Sequence, residues 1–224
     1  MKLISGVALV AFLCLLPGLV SAGVIRGTLS VASRPAISAA MNAYPGQASS
    51  IPGSHASTQG LASDAVVYVD QVPAKAEAEL AAAVATECPR LAQKDQAFVP
   101  RVLAIATGTT VEFPNLDPIY HNVFSLSPVQ RFDLGKYPNG SSRQVTFAKS
   151  GLVKVYCDIH SNMEAFVFIL PHHGFARPSS SGEFALPDLP KGRYVLHAWH
   201  PDLGEQTKTV DVPADGSVVA NLSY

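Results

Sequence analysis

Cysteine and methionine are both scarce in this chain, three of each among 224 residues. Met1 and Cys14 fall in the N-terminal apolar stretch, which leaves Cys88, Cys157, Met41 and Met163. That is too little cysteine for a disulfide-built scaffold. An excess of charge is missing as well, with 16 basic residues against 17 acidic ones. The balance excludes a polybasic surface for nucleic acid and a charge drive toward a membrane surface. No G-x-G-x-x-G or G-K-[ST] loop occurs, no serine sits in a nucleophile-elbow pattern, and no carboxylate pair has acid–base spacing. A phosphate-cradling loop and a hydrolytic triad are therefore not expected.

Long apolar runs are absent except at the start. Lys2 precedes "LISGVALVAFLCLLPGLV", and "VSA" closes the run before Gly23. A charged start, a short apolar core and small closing residues have the form of a secretory leader, residues 1–22, cleaved after Ala22. Gly6, Pro17 and Gly18 interrupt the run and no stop-transfer charges follow, so no stable membrane anchor is expected after cleavage. Cleavage removes Lys2 and no acidic residue, giving a net charge of −2. The expected location is the periplasm or the extracellular medium. There, a Cys88–Cys157 disulfide is the plain alternative to any other use of these thiols.

What is present is mostly β. "GVIRGTLSV" and "DAVVYVD" alternate or cluster apolar residues between turn residues, and so predict strands. The intervening residues 32–63 are rich in Ala, Ser, Gly and Pro without an apolar period, and predict a loop. "AKAEAELAAAVAT", residues 74–86, consists of strong helix formers and predicts one short helix. From residue 89 onward strands and turns alternate, the composition of an all-β sandwich architecture. In "GEFALPDLPKGRYVLHAWHP", Tyr194, Leu196 and Ala198 share one strand face, and Val195, His197 and Trp199 the other.

Cys157, His160 and Met163 lie three residues apart in "VYCDIHSNM". Val153, Val155 and Cys157 share a strand face, so Cys157 points inward at a strand end, with His160 and Met163 in the loop that follows. Thiolate, imidazole and thioether form a soft-leaning set that suits copper better than a hard cation. Structural zinc would take four Cys or His ligands, and a thioether is a poor one. His121 in "NLDPIYHNVFSL" opens a predicted strand and is the best candidate for a second imidazole. Asn122 beside it is placed to donate a hydrogen bond to the cysteine sulfur or to tie the two ligand segments together. His172 and His173 fall at a predicted boundary and are expected to be solvated. His197 and His200, three apart on a strand, cannot share a face.

"HNV" upstream of C-x2-H-x2-M, with the cysteine closing a strand, resembles the cupredoxins, the type 1 blue copper proteins, and the short loop is most similar to that of amicyanin; plastocyanin-type loops are longer before the methionine. The likeness covers roughly residues 89–170. It implies a Greek-key β-sandwich in which His121, Cys157, His160 and Met163 hold one copper ion that carries one electron as Cu(I)/Cu(II). "SGEFALPDLPK" and the strands after it resemble the later strands of a carboxypeptidase regulatory-like, transthyretin-type β-sandwich. Residues 172–224 are too few to close a core alone. The expected organisation is therefore one discontinuous sandwich of residues 23–73 and 172–224, with the copper domain, residues 74–171, inserted. The alternative is a continuous cupredoxin beginning near residue 24, followed by a tail domain.

Together these readings predict a one-electron carrier that meets an unidentified redox protein partner, and not an enzyme. The alternative is a non-redox copper-binding or interaction module whose sandwich docks a partner.

Overall fold

The computed structural model describes residues 22–31, 62–84 and 88–224. Residues 1–21 of the leader pattern and most of the Ala/Ser/Gly/Pro-rich stretch lie outside them. The described residues form a β-sandwich protein with one short α-helix.

β1 (Ala22–Ser30) and β2 (Val66–Val69) come first, and α1 (Ala74–Ala83) follows. The helix is three residues shorter than its composition suggests. Val84 is already extended, its amide bonded to the Leu80 carbonyl at 3.2 Å, so the backbone turns out of the helix there.

Nine strands form the next unit: β3 (Ala92–Lys94), β4 (Ala97–Val99), β5 (Val102–Ala106), β6 (Thr110–Pro114), β7 (His121–Ser125), β8 (Phe132–Tyr137), β9 (Ser142–Thr146), β10 (Gly151–Tyr156) and β11 (Glu164–Leu170). One layer has the order β5-β11-β10-β7-β8. The other pairs β6 with β9, and the β3–β4 hairpin lies against β6 through bridges Arg90–Glu112 and Gln93–Asn115. Period-2 alternation sends Val153 and Val155 of β10, and Ala165, Val167 and Ile169 of β11, between the layers. There they meet Val111, Phe113 and Phe147 in one buried core.

The last strands are β12 (Phe175–Ala176), β13 (Glu183–Ala185), β14 (Leu189–Pro190), β15 (Gly192–His200), β16 (Gly204–Val212), β17 (Ser217–Val219) and β18 (Leu222–Ser223). They ladder with the first two strands across most of the chain. β1 pairs antiparallel with β13 and β14 and parallel with β17 and β18. β2 lies between β12 and β15 in a four-stranded sheet that β16 completes. Between these sheets Ile25, Leu29, Val67, Val69, Tyr194 and Leu196 form a second core, and Leu80 of α1 packs against it.

The two cores meet at a third apolar cluster. Val66, Tyr68, Phe175 and Trp199 pack on Val102, Phe166, Phe168 and Leu170, the outer face of β5 and β11. Trp199 lies on the face opposite Tyr194 and Leu196, and its ring sits 4.9 Å from that of Phe168 and 6.0 Å from that of Phe166. Arg101 spans the seam, bonding Asp202 at 2.8 and 3.0 Å and Asp64 at 3.3 Å.

Candidate metal centre

The chemistry-bearing side chains gather at one end of the nine-stranded unit. β7 and β10 are antiparallel neighbours through Tyr156 and Phe124, which puts the start of β7 beside the end of β10. His121 and Val123 face the core from β7, and Cys157 does so just past β10. The loop to β11 closes with a turn in which the Met163 amide donates to the His160 carbonyl at 3.0 Å. Strands on both sides fix that loop, because all six residues of β10 pair with β11.

Three of the four residues singled out by sequence converge. His121 Nδ1 and His160 Nδ1 are 3.1 Å apart, and each lies 3.9 Å from Cys157 Sγ. The point equidistant from these three atoms is about 2.1 Å from each, close to the bond length of a borderline metal to imidazole or thiolate. His121 is fully buried, Cys157 is 4% exposed and His160 is half-buried. Met163, 1% exposed, belongs to the adjoining core. Among the described residues this is the one cluster of three or more His, Cys, Asp or Glu with metal-holding geometry.

The donor set fits a soft-to-borderline metal. His121 Nε2 lies 2.8 Å from Asp117 Oδ2. A carboxylate there accepts a hydrogen bond from Nε2–H, and in that tautomer the Nδ1 lone pair faces Cys157 and His160. Asp117 is nearly buried, and burial alone would raise its pKa. The Gln96 amide, the His121 ring and the Asp95 amide outweigh that and hold the carboxyl below its ordinary value. Asp117 is not among the residues singled out by sequence. A carboxylate four residues before a candidate ligand histidine is the signal that was present.

Asn122 ties the two ligand-bearing segments together, as one of its two expected roles required, but does not reach the sulfur. Its amide nitrogen donates to Asp133 Oδ1 at 2.7 Å rather than to the cysteine sulfur. Its oxygen accepts the Asp158 amide at 3.4 Å, a long bond from β7 to the ligand loop. Lys136 of β8 meets Asp158 at 3.7 Å and adds a second tie.

The remaining candidates lie elsewhere. Cys88 and Cys157 are not bonded to each other. Cys88 Sγ donates to the Thr110 carbonyl at 3.0 Å and lines a cavity of about 690 Å³ with Ala106, Thr109 and Phe175. β5 and β11 run parallel, and Ala106 pairs with Leu170, so this cavity lies at the far end of those strands from the ligand loop. His172 is buried and His173 is half-buried, neither one freely solvated. His172 is 6% exposed, and His173 Nδ1 meets Glu77 at 2.6 Å, because α1 covers the segment that the sequence placed at an open boundary. His200 is buried and His197 half-buried on the opposite strand face.

No family model and no curated protein matches the chain. Part of it is similar to solved structures. A Cu-containing nitrite reductase from Thermus scotoductus SA-01 is 26% identical over 39% of this chain and 23% of its own, with TM-score 0.37. The present chain thus spans about a quarter of that enzyme's length. An amicyanin mutant in its reduced state is 22% identical over 40% of this chain and 89% of its own, with TM-score 0.35. A purple cupredoxin from Nitrosopumilus maritimus is 23% identical over 37% of this chain and 99% of its own, with TM-score 0.34.

Proposed function

We propose that this chain is a copper protein that carries single electrons between redox partners outside the cytoplasm. The observation that carries the reading is the convergence of His121 Nδ1, His160 Nδ1 and Cys157 Sγ around one point. In this reading these residues hold one copper ion, and Met163 serves as a weak fourth donor from the core side. Bound copper would supply a Cu(II)/Cu(I) couple. The protein's part is to hold its donors still: β7, β10 and β11 fix the backbone, and Asp117 fixes the ring of His121. Burial of His121, Cys157 and Met163 excludes water from the donors. Four protein donors leave no open position for substrate, which favours a carrier over an enzyme.

The half-buried edge of His160 is the way in for an electron. Exposed Ile159 is its neighbour, and Leu116, Ile119 and Tyr120, also exposed, belong to the loop that carries Asp117 and leads into His121. An apolar rim of this kind suits a transient protein partner with a matching apolar patch. The domain reading is likewise a proposal. Residues 23–73 and 172–224 form one carboxypeptidase regulatory-like sandwich, into which residues 74–171 are inserted. The ladders of β1 with β13, β14, β17 and β18, and of β2 with β12 and β15, support it. Export rests on the leader pattern of residues 1–22; among the described residues, no helix is long and apolar enough to cross a membrane.

A second reading draws on the size of the second core: a non-redox copper-binding module whose sandwich docks a partner. Adding Cu(II) to the purified chain separates the two. The carrier reading expects one copper per chain, an intense visible band that Cys157→Ala abolishes, and reversible one-electron reduction. Stoichiometric copper without reversible reduction favours the second reading, and no stoichiometric copper sinks both.

A further inference from the structure

Asp117 is held more firmly than a single bond to a histidine would require. Its Oδ1 accepts the Asp95 amide at 2.6 Å, and its Oδ2 accepts the Gln96 amide at 2.9 Å as well as lying 2.8 Å from His121 Nε2. Its own amide donates to Asn115 Oδ1 at 3.0 Å, and Asn139 Nδ2 donates to its carbonyl at 2.9 Å. The two amides that grip the carboxylate belong to the β3–β4 turn, where Asp95 and Gln96 have φ of 55° and 54°. Both lie in the left-handed region, which disfavours any residue with a Cβ, and neither is glycine. An unfavourable turn is thus kept where it aims two N–H groups at one carboxylate. Among the described residues no lysine or arginine pairs with Asp117; its side-chain partner there is the His121 ring.

We propose that Asp117, as a positioning residue acting through His121, sets the charge balance of the centre so that it favours the more oxidised state of its metal. This rests on the copper reading above. The Cys157 thiolate and the Asp117 carboxylate together bring two negative charges to a largely buried site. They match a divalent ion and overcompensate a monovalent one, and a low dielectric enlarges the difference. The reduced centre then gives up its electron readily, and its own donor must be a comparably strong reductant.

Asp117→Asn tests this, since it removes the charge and keeps an oxygen for His121 Nε2–H. Cu(II) binding is expected to weaken about tenfold while Cu(I) binding holds, which raises the potential by about 59 mV for a one-electron couple. Asn139→Ala loosens the same loop without changing charge and is expected to leave the potential in place. Nitrogen-15 NMR of the metal-free wild type is expected to show His121 as the Nε2–H tautomer, a measurement that stands even if Asp117→Asn fails to fold. Equal losses of Cu(I) and Cu(II) affinity in Asp117→Asn, or an Nδ1–H tautomer in the wild type, would overturn the proposal. A wild-type chain that binds no copper overturns the functional reading instead, and the tautomer then decides the role of Asp117 alone.

Discussion

His172 and His173 are sequence neighbours with different surroundings. His173 reaches Glu77 on α1, whereas His172 is buried and its Nδ1 accepts the Gly174 amide at 3.2 Å. Burial lowers the pKa of His172, outweighing the opposing influence of Glu77. A histidine with a depressed folded pKa contributes stability above its unfolded value, about 6.5, and loses it as the pH falls through the folded value. His172→Asn keeps an acceptor for Gly174 and removes the titration. The variant's melting temperature is expected to fall less than the wild type's between pH 7 and pH 5. At this scale the gathering of His121, Cys157 and His160 was largely legible. Alternation along "GLVKVYC" turns Cys157 inward, and spacing ties His160 to it. The grip on Asp117 was not legible, because its two amides come from a turn more than twenty residues away, and nothing in its local sequence names them.

Strands were legible as segments and much less so as neighbours. The pattern of "GVIRGTLSV" marks a strand, but not that it runs parallel to residues 217–219 and 222–223. Gly27 shows how close that approach is. A Cβ there would lie 2.1 Å from the Ala220 carbonyl oxygen and 2.7 Å from its carbon, both backbone atoms that cannot swing aside. Gly27→Ala should therefore push β1 away from the C-terminal strands and cost about 2–3 kcal/mol or more, read by urea unfolding. Gly108→Ala is the comparison. A Cβ there meets nothing within 4 Å, and the cost, about 1 kcal/mol, comes only from its φ of 89°. Similar losses for the two variants would mean that the close packing of β1 contributes little.

At the scale of the molecule the two cores are joined by apolar packing under Trp199 and by the Arg101 cluster. Trp199→Ala removes an indole that touches both Phe166 and Phe168 and is expected to cost about 2–3 kcal/mol, below the 3–5 of a fully buried tryptophan. Loss of that contact should also uncouple the cores, so calorimetry is expected to show one transition in the wild type and two in the variant. A single, merely lowered transition in Trp199→Ala would show that the seam is not what couples them. Seen whole, the sequence by itself determined what short-range physics can carry: which segments are strands, which faces turn inward, and which soft donors share one loop. Tertiary structure alone decided which strands became neighbours, that β1 and β2 complete sheets with residues 175–223, and that a distant turn holds the carboxylate behind His121. The reason is physical: a period-2 pattern specifies a face but not a partner, and strand pairing is chosen by burying all the faces at once.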